Sequence, residues 1–142
     1  MKTNNKMKLT FLSFSTNELF DRSVVGCFAL QLNPSVADIS DIKTAVSEAV
    51  TNCIVHGYPN TLGEITIECE IEKDCIHINI SDNGVGIEEI EKALEPFYTT
   101  KENEERSGMG FTIMKSFMDE VKVVSKKGQG TSVYMLKRTK TN

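Results

Sequence analysis

The stretch that most constrains this 142-residue chain runs from Cys75 to Ile87. Ile76, Ile78 and Ile80 alternate with His77, Asn79 and Ser81, which predicts a β-strand with one buried face. The alternation ends at one acid, Asp82, followed by Asn83, Gly84, Val85 and Gly86. Two glycines with a single residue between them permit positive φ and let a ligand come close to the backbone. A carboxylate at the end of a buried strand, beside bare backbone, can accept a hydrogen bond from a ligand amine. We expect Asp82 to take the exocyclic amine of adenine, and the rest of the chain to build the phosphate end of the same pocket.

The flanking segments supply a sheet and helices. Glu64 to Glu72 alternates through Ile65, Ile67, Cys69 and Ile71, and Lys73-Asp74 turns it back into the Asp82 strand as a hairpin. Lys8–Ser15, Val121–Ser125 and Thr131–Lys137 are three further strand candidates. Ser15-Thr16-Asn17-Glu18 fits a capping box with Ser15 as N-cap. Leu19, Phe20, Val24, Cys27, Phe28 and Leu32 then recur at helical spacing until Asn33-Pro34. A second helix is expected to open at Asp38 or Ser40 and to stop at His56-Gly57, with Ile39, Ile42, Val46, Val50, Cys53 and Ile54 as its core stripe. A short helix over about Glu88 to Leu94 precedes a charged stretch, Glu102 to Arg106, which predicts a mobile flap. Ser107-Gly108-Met109-Gly110 leads into a third helix with Phe111, Met114, Phe117, Met118 and Val121 on one side. These elements predict one domain over residues 1–142, with flexible ends at 1–7 and 138–142. The fold class is α/β (α+β): a two-layer sandwich, its mostly antiparallel mixed sheet covered on one face by helices.

Composition excludes several functions. The hydrophobic fraction of 39% and charged fraction of 25% suit a soluble globular domain. A net charge of -4 argues against direct nucleic-acid binding, which needs clustered Lys and Arg. No apolar run approaches the ~20 residues of a membrane span, and Leu9 to Phe14 is too short and broken for a signal peptide. The four cysteines form no close CxxC pair and lie inside apolar patterns, so core thiols in the cytoplasm are expected.

Several residue patterns carry chemistry. Glu48 and Asn52 lie one turn apart, nearly opposite the core stripe, with small Ala45 and Ala49 leaving room beside them. Asn52 offers Mg²⁺ a neutral oxygen, a triphosphate would supply others, and Glu48 could take a proton from an attacking hydroxyl. Gly108-Met109-Gly110 at a helix start suits phosphate oxygens, because unpaired N–H groups and the positive dipole end lie there. Lys101 and Arg106 flank the flap, where a cation could reach a terminal phosphate. Neither the P-loop nor the Rossmann pattern is present. On the residues alone, Glu18 and Arg22 form a surface ion pair worth ~0.2–0.5 kcal/mol. His56 and His77 have no partner pattern for a triad or a metal.

Taken together, Glu48-Ala-Val-Thr-Asn52, Asp82-Asn-Gly-Val-Gly86, Gly108-Met-Gly110 and Gly130-Thr131 resemble the four ordered boxes of the ATPase superfamily that contains gyrase, Hsp90, sensor histidine kinases and MutL. Val46 to Asn52, Glu105 to Met114 and Phe117 to Val121 are more similar still to the serine-kinase anti-sigma factors, the anti-sigma F factors of endospore formers among them. The resemblance spans Leu9 to Leu136. It implies a Bergerat-type ATP-binding fold that takes ATP or ADP with Mg²⁺. By resemblance, Asn52 would ligate Mg²⁺ and Glu48 would be the base. Asp82 would bind the adenine amine, Gly84 and Gly86 would line the base, and Thr131 would assist there. Gly108 and Gly110 would hold phosphates, and Thr99, Thr100, Lys101 and Arg106 would belong to an ATP lid. Glu18 and Arg22 would contact partner proteins, which replaces the surface-pair reading. The resemblance further implies a homodimer that silences a sigma factor and phosphorylates a serine of an anti-anti-sigma protein. A stress-response kinase with another sigma partner, a nucleotide-gated module without kinase activity and a stand-alone ATPase remain as alternatives.

Overall fold

The computed structural model describes residues 4–86 and 110–139. The short helix near residues 88–94, the flap, and Thr99, Thr100, Lys101, Arg106, Gly108 and Met109 lie outside them. The predicted hairpin is present as β2 (Glu64–Glu72) and β3 (Cys75–Asp82). Lys73 takes a left-handed φ of 58° in the turn between them. With β1 (Asn5–Leu12), β4 (Glu120–Lys126) and β5 (Gly130–Arg138), these strands form one sheet in the order β1-β2-β3-β5-β4. Every pairing is antiparallel, so among the described strands the sheet is not mixed. β3 lies at its centre. Ile76, Ile78 and Ile80 are wholly buried, as the alternation requires.

The sheet's margins differ from the sequence expectation. β1 begins at Asn5 and ends at Leu12, because its register is set by β2: Asn5 faces Ile71 and Leu12 faces Glu64. Residues 5–7 are therefore part of the sheet. At the other end Thr139 is buried and donates its N–H and its hydroxyl to the Asp74 carbonyl at 2.9 and 3.1 Å.

Among the described residues three α-helices cover one face. They are α1 (Asn17–Ala29), α2 (Val36–Asn52) and α3 (Gly110–Phe117), with α2 packed against both others. Ile42, Val46 and Val50 meet the sheet residues Ile65, Ile67, Ile78 and Met135 in a single core. The other sheet face is polar, and on it the His77 ring nitrogen Nδ1 lies 2.7 Å from the Tyr134 hydroxyl. No helix among the described residues is long and apolar enough to cross a membrane.

The start of α2 lies upstream of the expected Asp38 or Ser40. Ser35 is the N-cap: its hydroxyl accepts from the Asp38 N–H at 3.0 Å, and the Asp38 carboxylate accepts from the Ser35 N–H at 3.3 Å. Ala45 and Ala49, expected beside an open groove, are wholly buried. Their small side chains belong to the core, where α2 is flanked on two sides. Of the cysteines, Cys53, Cys69 and Cys75 are buried as expected, whereas Cys27 is exposed.

The buried face of α1 is rotated from the predicted one. Thr16, not Ser15, is its N-cap, and no side chain caps it. Leu19 and Phe20 are 59% and 52% exposed, while Asp21, Val25, Gly26 and Ala29 face inward. Close packing on α2 selects small residues. A Cβ on Gly26 would sit 3.1 Å from the Lys43 side chain.

Rotation leaves Asp21 wholly buried with neither carboxylate oxygen hydrogen-bonded. Burial first, and the Glu18 charge second, push its pKa from 3.8 up to about 7. The folded chain therefore holds a proton there that the unfolded chain releases. Stability falls as pH rises from about 4, and the full cost is reached above about 7. Asp21→Asn removes this titration. Its stability gain over the parent chain is expected to grow with pH, to roughly 1–3 kcal/mol at pH 8. Urea denaturation at pH 4.5 and pH 8 checks this. Equal differences at the two values would contradict it.

Candidate functional site

β3 delivers Asp82 to the end of the sheet, where its side chain is almost fully buried at 6% exposure. One carboxylate oxygen, Oδ1, accepts the Gly84 N–H at 2.8 Å. The Thr131 N–H and the Cys53 thiol lie beside the carboxylate as potential donors that favour its charged form. Burial raises the Asp82 pKa, and these donors oppose the rise. Thr131 is the cross-strand partner of Asp82, and its hydroxyl lies 2.7 Å from that of Ser125. Gly130, at φ 91°, lets the β5 backbone pass against the Asp82 carbonyl.

The neighbouring glycines serve close packing. A Cβ on Gly57 would lie 2.9 Å from Asp82 Oδ2. A Cβ on Gly84 would overlap the Gly57 carbonyl, and one on Gly86 the Lys126 carbonyl. Gly84 and Gly86 thus fix the loop after Asp82 against its neighbours. By sequence, Gly57 reads as a glycine stop at the end of the second helix. The helical stretch does end there, since α2 runs on through a π-helical turn, Cys53–Gly57, but Gly57 is bare because the Asp82 carboxylate lies against it.

The last turns of α2 face the start of α3. A Cβ on Gly110 would sit 3.1 Å from Asn52 Nδ2 and 3.4 Å from Glu48 Oε1. The three predicted residues therefore meet: an acid, an amide and a bare helix N-terminus. Asn52 Nδ2 is buried and has no hydrogen-bond partner. A buried amide left unsatisfied costs free energy, and such groups call for an explanation. Among the described residues no group of three His, Cys, Asp or Glu side chains could hold a metal on protein ligands alone. The orphaned Nδ2 is a donor and suits an acceptor such as a phosphate oxygen, while the oxygen of the same amide would fit a Mg²⁺ whose other ligands come from a bound triphosphate. The two ends of the site are covalent neighbours, since Asn52 faces Gly110 while Cys53 lies beside Asp82.

Glu18 and Arg22 lie on α1, a different element from those that carry Asp82, Asn52 and Gly110. Arg22 Nε and Glu18 Oε2 are 3.6 Å apart, and neither atom makes a hydrogen bond. Sequence reasoning misses Cys53, Gly57 and Tyr58 as site residues. It places Cys53 in the core stripe and Tyr58 in a loop. The run His56-Gly57-Tyr58, one helical turn on from Asn52, is the available signal.

The model of the histidine kinase-like ATPase domain matches residues 21–137. A curated relative, the "Anti-sigma F factor" of Thermoanaerobacter sp. (strain X514), is 57% identical over 137 residues, 96% of each chain. The chain belongs to the anti-sigma F factor family of histidine kinase-like ATPases. The "Anti-sigma F factor" of Clostridium acetobutylicum is 54% identical over 134 residues, 94% of each chain. Among solved structures, the catalytic domain of histidine kinase ThkA has a TM-score of 0.59 at 19% identity, over 94% of this chain and 96% of that one. The mycobacterial sensor histidine kinase MprB has a TM-score of 0.58 at 17% identity, over 99% of this chain and 100% of that one. These structures establish the shared fold, and the family carries a kinase-type ATPase domain.

Proposed function

We propose that this chain is an anti-sigma factor that holds a sporulation sigma factor and, as an ATP-dependent serine kinase, phosphorylates the anti-anti-sigma protein opposing it. The observation that carries the reading is the junction at Asn52-Cys53. It joins an orphaned amide, facing a bare helix tip, to a buried carboxylate that can accept from adenine.

In this reading Asp82 accepts the adenine amine, with Thr131 beside it, and Gly84 and Gly86 hold the loop under the base. Asn52 gives its amide oxygen to Mg²⁺, which when bound neutralises phosphate charge. Glu48 takes the proton of the attacking serine hydroxyl, on the phosphate side of the Gly110 cradle. Gly108, Met109 and Gly110 give backbone N–H groups to phosphates. Thr99, Thr100, Lys101 and Arg106 form the lid, with Arg106 on the terminal phosphate. The active form is a homodimer in the cytoplasm. ATP and ADP forms differ in partner affinity, which is what a nucleotide-biased partner choice requires.

Glu18 and Arg22 take the partner. Poorly bonded polar atoms half-sunk in a helix face, beside exposed Leu19 and Phe20, suit a protein contact. Pull-down from an endospore former's lysate with Mg-ATP or Mg-ADP, followed by labelled ATP, tests the whole reading. A sigma factor and a phosphoserine-bearing antagonist are expected. Sigma capture without phosphoserine would leave a binding module, and phosphate release without an acceptor a simple ATPase. Arg22→Ala should cut partner capture about tenfold or more while leaving ATP affinity intact. Wild-type retention would remove Arg22 from the interface.

A further inference from the structure

The turn after Asn52 is bolted to the loop after Asp82. Gly57 accepts the Val85 N–H on its carbonyl at 2.9 Å. Tyr58 is 8% exposed, and its hydroxyl donates to the Glu64 carbonyl at 2.6 Å and accepts the Asn83 N–H at 2.8 Å. Gly63 is bare where the Tyr58 ring lies, since a Cβ there would overlap it. Cys53, at 3% exposure, is buried beside the Asp82 carboxylate. Asn83 and Gly84 come directly after the acid, so Tyr58 holds the main chain on one side of it and Cys53 lies beside its side chain. The Tyr58 hydroxyl thus pairs the Asn83 N–H in a part-buried bond beside the strand end.

We infer that Tyr58 and Cys53 are positioning residues for Asp82, and that they set the preference of the site for a purine bearing a 6-amino group. This rests on the reading of Asp82 as the adenine acceptor. Carboxylate orientation matters because a site built to bond an amine rejects an analogue lacking it only while its acceptor stays aligned. A loosened carboxylate would hold ATP less well and the analogue no worse.

The test compares binding of ATP with binding of the purine nucleoside triphosphate that lacks the 6-amino group, by titration calorimetry on the full chain. The parent chain should favour ATP. Tyr58→Phe keeps the ring but orphans the Asn83 N–H, and should weaken ATP about tenfold while leaving the analogue unchanged. Cys53→Ala should act in the same direction, and Cys53→Ser should restore the preference. A merely structural role would weaken both ligands by one factor, and that result overturns the inference, as does an unchanged preference in either variant. If Tyr58→Phe gives no cooperative melt, the Cys53→Ala and Cys53→Ser pair decides alone. Asp82→Asn separates the two levels. If the parent chain shows no preference, or Asp82→Asn retains it, the acceptor role itself falls. If Asp82→Asn abolishes the preference while Tyr58→Phe keeps it, only the positioning role falls.

Discussion

Glu48→Gln is expected to slow phosphoryl transfer to the antagonist serine by ~10²–10⁴-fold, the usual worth of a general base, with nucleotide affinity within a few-fold of the parent chain. The substitution keeps the size and the hydrogen-bonding reach of the side chain but removes its basicity. The geometry behind the expectation is the Gly110 cradle, where the Glu48 carboxylate stands one helical turn from Asn52 and faces the α3 N-terminus. In the proposed reading a base there lies on the phosphate side of the pocket, remote in sequence from Asp82. Single-turnover transfer of labelled phosphate measures the chemical step apart from nucleotide binding. A rate unchanged from the parent would remove Glu48 from proton transfer.

Asn52→Ala is expected to lower Mg-ATP affinity by at least roughly 100-fold, because even outer-shell groups around a metal are worth 10–100-fold. A second signature runs the other way. Asn52 Nδ2 is buried without a partner, so the amide is a cost to the unliganded fold. Its removal should leave the melting temperature of the nucleotide-free chain unchanged or higher. Calorimetry with Mg-ATP, repeated in EDTA, together with thermal melts, reads both effects. Normal Mg-ATP affinity would remove Asn52 from the metal site. A variant that lost both affinity and stability would mark Asn52 as a packing residue.

Where local pattern and global packing agree, the architecture can be read from the residues. The hairpin of Glu64 to Asp82 is legible because period-two isoleucines on neighbouring strands leave one register with all of them buried. The α2 stripe is legible for the same reason at helical period. The face of α1 is not. Its large apolar residues mark one stripe, but contact with α2 goes through Val25, Gly26 and Ala29, and only the packed partner reveals that small residues are wanted there. The start of α2 is easily misplaced because Asp38 resembles an N-cap, yet acts as the distal half of the Ser35 box. At the site, Glu48, Asn52, Asp82, Gly110 and Thr131 come from motif spacing, and the structure brings them into two adjoining clusters. Cys53 and Tyr58 stay hidden because an apolar-looking thiol and a loop tyrosine carry no signature until the π-helical turn sets them on the Asp82 loop.

The adjacency of Asn52 and Cys53 has a consequence for how this chain can vary in length. A residue added within α2 upstream of Asn52 would swing the downstream turn by about 100° and advance it by about 1.5 Å. Both anchor points would then miss their marks at once, since a single peptide link ties them. The hairpin corner at Lys73-Asp74, at the far end of β3 from Asp82, holds Thr139 through the Asp74 carbonyl but carries neither anchor of the site. Tolerance to insertion should thus be graded along the chain, from nil at the close of one helix to generous at the distal corner of the sheet.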